Sequence, residues 1–375
     1  MGYSSVRLFL IFLIPRLVVG GLFSAIGYIG SGGDPETYHV LGLYARDLWF
    51  EPENASLDGL LDEWWTTDEE SITDKYSLAI GDVESGRAGL AMNGTAPIIG
   101  VHAAVYSIWR HPFAFVFTIS VLSSLSYLVF IRRLGVATSD VLLYALNPVS
   151  IFFAATHYKE SICESLVITL LASLAAKPKH GYAAMLSVAF AMFRSAYIPL
   201  IPLIWLSRLV SRFDSRLVIG SAFVLFALAP SFYWILPGES AGPIYSIVQA
   251  NEYTQRVLGP LVGLLMPLPF VESVATPFGA LLTVYAFFYW CFLPVVLIHV
   301  AMFRRPEGMA TTVVLVALGI SYYVVGGIAA KARFFAPFVP MLILAFTQVR
   351  EPVFNWLASR LRSVTEEQKF RVKQI

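Results

Sequence analysis

Uninterrupted apolar runs recur along this chain from Val6 to Thr347, and that recurrence limits the architecture more than any other feature. A bilayer core is crossed by about 20 apolar residues in a helix, because every backbone polar group must be satisfied within the segment. Runs of that kind occupy 7–29, 113–131, 138–156, 160–176, 181–195, 196–210, 215–236, 277–302, 309–329 and 333–349. The expected fold class is an all-α polytopic membrane protein of about ten transmembrane helices. Composition agrees. Hydrophobic residues make up 57% of the 375 and charged residues 14%, where soluble domains carry roughly 25% charged. A mean hydropathy of +0.69 exceeds what one water-soluble core can absorb. The first run is too long for a removed signal peptide and lacks a small-residue cleavage site. Cys163 and Cys291 both fall inside apolar runs, which argues against a disulfide or a metal pair.

Net charge, +1, excludes the strongly basic field of a nucleic-acid binder, so no nucleic-acid partner is expected. The distribution of charge is more informative. With the N-terminus inside, one face collects Arg7, Arg132, Arg133, Lys177, Lys179, Arg208, Arg212, Arg216, Arg304, Arg305 and the basic residues from Arg350 onward, sixteen of the 26 Lys and Arg. The stretch 31–95 holds fourteen of the 25 acidic residues against Arg46, Lys75 and Arg87. Positive residues favour the cytoplasmic side. The expectation is therefore a multi-pass protein of the plasma (inner) membrane, N-in and C-in. A single transmembrane domain spans 1–349, with an acidic outer loop at 31–110 that contains short helices and a second outer loop at 237–276. Residues 350–375 read as a basic amphipathic cytoplasmic tail lying on anionic lipid.

Charged groups cluster at one level of this topology, the outer boundary. Asp34 and Glu36 follow the first span, where Gly32-Gly33 and Pro35 fix the turn; Lys159 and Glu160 fill the turn of a hairpin; Arg194 sits in the next outward turn; Lys331 and Arg333 open the last span. Carboxylates facing cations at an interface suit transfer of a sugar from a lipid phosphate. A base must take the acceptor's proton, and cations must stabilise charge on the departing phosphate. The lipid stays in the bilayer while the sugar meets water. Asp34 is the candidate base, and Glu36 the residue that orients the acceptor or holds a divalent cation, which would be the cofactor. Arg333, Lys331, Arg194 and Lys159 are candidate donor-phosphate binders. Tyr38, His39, Tyr158 and Glu160 are candidate substrate contacts. His39, His102 and His157 all face outward but no two share an i, i+4 helix face, so no metal site is expected from them.

The string has no phosphate-cradling glycine loop, no Gly-x-Ser-x-Gly, no His-Glu-x-x-His and no large cytoplasmic nucleotide-sugar domain. A lipid-carried donor is the route that remains.

Several of these stretches together resemble the GT-C superfamily of integral-membrane glycosyltransferases. Arg16 in the first span is followed by Asp34-x-Glu36-x-Tyr38, similar to that family's acidic first-loop motif. Thr95-Ala-Pro97 leading to Trp109 is similar to its Pro-led helix before the second span. Leu146-Asn147-Pro148 through Tyr158-Lys159-Glu160-Ser161 looks like its third and fourth span hairpin, and Arg333 with Pro337 and Pro340 looks like its late Arg…Pro…Pro signature. The resemblance implies an inverting transfer with Asp34 as base, a polyprenyl-phosphate-linked sugar as donor, and a glycan, lipid or protein acceptor. Two other functions fit the same spans. One is a cell-envelope oligosaccharide polymerase or ligase, which relies on outward arginines more than on a first-loop carboxylate. The other is a lipid or solute transporter without chemistry, with Pro199, Pro202, Pro337 and Pro340 breaking spans around a midplane site. Against transport, the middle thirds of the spans hold almost no charge beyond Arg16 and Glu164.

Overall fold

The computed structural model describes residues 4–30, 34–64, 80–81, 83–85, 95–175, 178–194, 198, 201–202, 204–205, 276–303 and 336–373. The expected spans at 215–236 and 309–329, most of 196–210, nearly all of the second outer loop, and Lys331 and Arg333 lie outside these residues.

All regular structure among the described residues is helical. Helix α1 (Ser5–Ala25) starts where the Ser4 hydroxyl accepts the Arg7 amide at 3.3 Å. Helices α2 (Asp34–Phe50), α3 (Leu57–Trp64) and α4 (Ala96–Tyr106) follow. Helix α5 (Pro112–Leu134) begins on His111, whose ring accepts the Phe113 amide at 3.1 Å, with Pro112 at a position that needs no donor. It ends on Gly135 at φ 65°, after Arg132 and Arg133 in the last turn, where cations complement the helix dipole. Helices α1, α5 and the Gly279–His299 part of α10 (Pro277–Phe303) are long and apolar enough to cross a bilayer.

Other expected spans differ. The run 138–156 is not one helix: a 3₁₀ turn at Thr138–Asp140 leads into α6 (Val141–Ala145), then a break, then α7 (Pro148–Ala154). Pro148 has no amide hydrogen and pushes its predecessor out of helical geometry. Asn147 adopts an extended conformation and its side chain accepts the Val149 amide at 3.1 Å, so the chain restarts instead of continuing. Helices α8 (Glu160–Leu174) and α9 (His180–Phe193) are 15 and 14 residues long. Within the last apolar run a 3₁₀ turn at Ala336–Phe338 leads into α11 (Val339–Lys373), so the basic tail extends the same helix through Pro352 with no break at residue 350.

Helix α1 packs on α5 and α7, α5 on α8, α8 on α9, and α10 on α11. Phe12, Tyr127, Phe130, Tyr144 and Phe153 lie in the main core, while α2, α3 and α4 share a smaller one around Leu41, Ile98, Tyr106 and Phe115. At Gly20 a Cβ would strike Val116, so the absent side chain is what lets α1 and α5 approach closely. Val6, Leu10, Ile14, Val18, Leu22 and Ile26 leave an exposed apolar stripe along α1, suited to lipid. Cys163 is buried, Cys291 exposed, and neither is bridged. Arg350 on α11 donates to Asp140 at 2.8 Å, joining two segments 210 residues apart.

Candidate functional site

The site forms where α1 ends and α8 begins. The chain leaves α1 through Gly27 (φ 70°) and Gly30 (φ 144°), and the Ile29 carbonyl accepts the His157 amide at 2.9 Å. A Cβ at Gly30 would sit 2.5 Å from Pro35 and 3.1 Å from the Tyr158 ring, so this crossing admits only glycine. Asp34 and Glu36 then occupy the first turn of α2, where the helix dipole favours carboxylates. Burial pushes the half-buried Glu36 carboxyl above its ordinary range.

Lys159 and Glu160 start α8 beside them. Lys159 is 8% exposed, and its Nζ lies 5.7 Å from the centre of the Tyr38 ring. Burial, and next the positive charge of Arg194, bring its amine down to about 8; the charges of Glu160, Cys163 and Asp34 pull the other way. Glu160 is 1% exposed and accepts from Arg194 Nη2 at 2.9 Å. Arg194 caps the end of α9 in an extended conformation, which turns it toward α8. Residues from three separate stretches thus meet: Tyr38 on α2, Lys159 and Glu160 at the start of α8, and Arg194 after α9, with Asp34 one turn before Tyr38. Tyr158 lies against the Gly30 crossing on one side and the core on the other. It is fully buried, edge-on to Phe153 at 5.4 Å and close to Phe152, within the apolar core.

His39 points away from this cluster into a second one. His39, His102 and His157 have ring centres 5.2–5.3 Å apart where His157 meets the other two, with Tyr106 among them. A hydrogen bond to a carbonyl fixes the proton of the neutral His102 ring. His102 Nδ1 must donate to the Ile98 carbonyl at 2.9 Å, so its Nε2 is an acceptor. His157 Nδ1, 3.2 Å from that Nε2, is then the donor. The Tyr106 hydroxyl is hydrogen-bonded with His39 Nδ1 at 2.6 Å. Burial, then the charge of His111, lowers His39 to about 4; burial lowers His102 to about 3, against its bond to Ile98, and the charge of His39 adds to the fall. His157 is held well below its usual value by burial, then by the charges of His102 and His39. Among the described residues, no group of three or more His, Cys, Asp or Glu side chains is arranged to hold a metal ion.

A third cluster closes the far end of α2. Asp47 accepts from Arg46 at 2.7 Å and from Arg110 at 3.0 Å, and Arg46 also donates to Glu51 at 2.6 Å. These bonds raise the Arg46 guanidinium and hold the Glu51 carboxyl low. The sequence names the three histidines one by one but gives no sign that they meet, and it gives no sign of the Asp47 cluster. Nothing in the local spacing of residues 39, 102 and 157 brings them together; what does is the close packing of α2 on α4. At Gly42 a Cβ would collide with the His102 Cβ. Gly42→Ala is therefore expected to cost about 1–3 kcal/mol by overpacking, read as a lowered unfolding midpoint in lipid nanodiscs.

The chain matches no protein-family model, no curated protein and no solved structure. What the fold defines is a helical membrane protein, and what marks its site is a buried set of opposite charges beside the exit of the first helix.

Proposed function

We propose that this chain is an inverting glycosyltransferase that moves a sugar from a polyprenyl-phosphate-linked donor to an acceptor at the outer face of the plasma membrane. The reading includes ten spans with both termini inside. It is carried by one observation: the Asp34 carboxylate acts on Lys159, whose amine also feels the charges of Glu160 and Arg194, although these residues come from distant parts of the chain. Asp34 takes the proton of the acceptor hydroxyl as that oxygen attacks the sugar carbon. Lys159 and Arg194, with Lys331 and Arg333, meet the charge that builds on the leaving phosphate. Glu36 orients the acceptor. The Asp140–Arg350 pair supports the orientation, because it joins two segments that the distribution of Lys and Arg assigns to the same cytoplasmic face.

The test uses the full chain in proteoliposomes with a radiolabelled polyprenyl-phosphate sugar. Asp34→Asn is expected to lower turnover by about 10²–10⁴-fold, the usual contribution of a general base, with the unfolding midpoint unchanged. A mild effect there, joined to a severe one in Arg194→Gln, would favour a polymerase. Substrate flux with no label moved to any acceptor would leave transport as the function.

A further inference from the structure

The middle of the bundle holds two charges that the proposed chemistry does not use. Arg16 lies near the middle of α1, about 16 Å from its first residue at 1.5 Å per residue, and is fully buried. Its Nε donates to Ser123 Oγ at 3.2 Å and its Nη1 to the Phe12 carbonyl at 2.7 Å. The guanidinium lies 4.9 Å from the centre of the Tyr127 ring. Glu164 is buried one helical turn below Glu160 on α8.

The hydrogens between them have a fixed direction. Ser150 Oγ donates to Glu164 Oε2 at 2.7 Å, which uses the only hydrogen on that hydroxyl. Asn147 Nδ2 at 2.7 Å and the Tyr127 hydroxyl at 2.8 Å must then both donate to Ser150. Two donors therefore feed a third that ends on the carboxylate. Arg16 keeps its charge in any protein environment. The two charges act on each other, but they form no direct ion pair among the described residues. Tyr127 spans the gap, with its ring under the guanidinium and its hydroxyl bonded toward the carboxylate.

This bridge also joins elements that pack on others more than on each other: α1 packs on α5 and α7, and α8 packs on α5 and α9. The backbone breaks at Asn147 at the same place, and irregular backbone at membrane depth persists only where protein or water satisfies it. Isolated ionisable residues at such depth are costly and mark function more often than chance.

We propose that Arg16 and Glu164 form one intramembrane charge pair, bridged by Tyr127 and Ser150, that positions the ends of α1 and α8 and so holds Asp34 against Lys159. Both are positioning residues. The importance of that spacing for turnover rests on the transferase reading; the pairing itself does not.

The experiment follows Lys159 instead of sugar transfer. Full-length protein in nanodiscs is treated with an amine-acylating reagent at fixed pH, and labelling of Lys159 is quantified by mass spectrometry for wild type, Arg16→Met, Glu164→Gln, the double variant and Tyr127→Phe. Each single charge variant is expected to raise the labelling rate about tenfold as the site opens, and the double variant to return within about threefold of wild type, because coupled residues deviate from additivity. Tyr127→Phe keeps the ring and loses the hydroxyl, and is expected to fall between. If the single variants do not fold, a double variant that folds and labels like wild type supports the pair. A double variant no better than the worse single, single variants that label like wild type, or a Tyr127→Phe that does so, overturns the proposal. Since no sugar is involved, failure of the pair and failure of the transferase reading are separate results.

Discussion

Acidification is expected to remove several kcal/mol of stability from the α2–α4 cluster as the pH falls from neutrality toward about 4, because buried imidazoles resist a proton that the unfolded chain accepts. The ordinary histidine value is 6.5; in the folded state His39 stays neutral down to about 4 and His102 to about 3. Above 6.5 both states are neutral and the full stability is present. Below it the unfolded state binds protons that the folded state does not, so stability falls with pH until the folded rings titrate. At roughly 1.4 kcal/mol per unit of pKa, His39 accounts for about 3 kcal/mol and His102 for about 5 if each transition is completed.

The groups around the rings explain the direction. His102 stacks on Phe115 at 3.6 Å, His39 meets Tyr106 edge-on, and His157 lies against Phe115 as well. Each ring is also penalised by the charge of another histidine, so a second proton is worse than the first. The measurement is the unfolding midpoint of nanodisc-embedded protein across this pH range, with His102→Phe as the comparison. Wild type should lose stability steeply below about 6.5 while the variant shows a shallower slope. A wild-type profile that is level between about 6.5 and 4, or a variant slope equal to it, would contradict the argument. The Glu51–Arg46 pair also weakens in acid, but only as the pH drops through a carboxyl value already held below its ordinary 4.5. Because Asp34 rides on α2, the same acid step is expected to move the candidate base away from Lys159.

Features written in contiguous residues were legible in the sequence. The apolar runs 7–29 and 113–131 correspond to α1 and α5, because length and hydropathy are local. The run 138–156 was misleading for an equally local reason: hydropathy counts Asn147 and Pro148 as two weak residues in an apolar stretch, while the backbone treats them as a stop and a restart. The boundary at 350 was drawn where charge density changes, but a helix propagates through hydrogen bonds and Val339–Lys373 ignores that change. At the site, Asp34, Lys159, Glu160 and Arg194 stood out because charge at the end of an apolar run is unusual. Their partners did not, since the 2.9 Å bond from Arg194 to Glu160 depends on how α9 lies against α8. Tyr158 shows a placement that the sequence does not give. Adjacent in sequence to Lys159, its ring packs on Phe152 and Phe153 and against the Gly30 crossing.

Removing the guanidinium of Arg194 is the substitution expected to damage the site most. Glu160 is 1% exposed, and Arg194→Met takes away the donor 2.9 Å from its carboxylate while leaving the aliphatic volume in place. Breaking a buried pair from one side costs about 3–5 kcal/mol, because the remaining charge keeps its desolvation penalty and loses its compensation. The cost should fall largely away in Arg194→Met/Glu160→Gln, where neither charge remains. Loss of apolar packing alone would make the double variant as unstable as the single. Lys159 supplies an independent readout. Arg194 is the second cause, after burial, of its lowered value of about 8, so with that positive charge gone the amine should titrate higher. It then carries less of the neutral, nucleophilic form at pH 7–8, and its acylation should slow if the site stays closed. In the double variant the opposing carboxylate is lost too, and the rate should move back toward wild type. Slower labelling in the single variant with recovery in the double would identify Arg194, Glu160 and Lys159 as one electrostatic unit; unchanged Lys159 labelling in both would mean that Arg194 does not act on the amine at all.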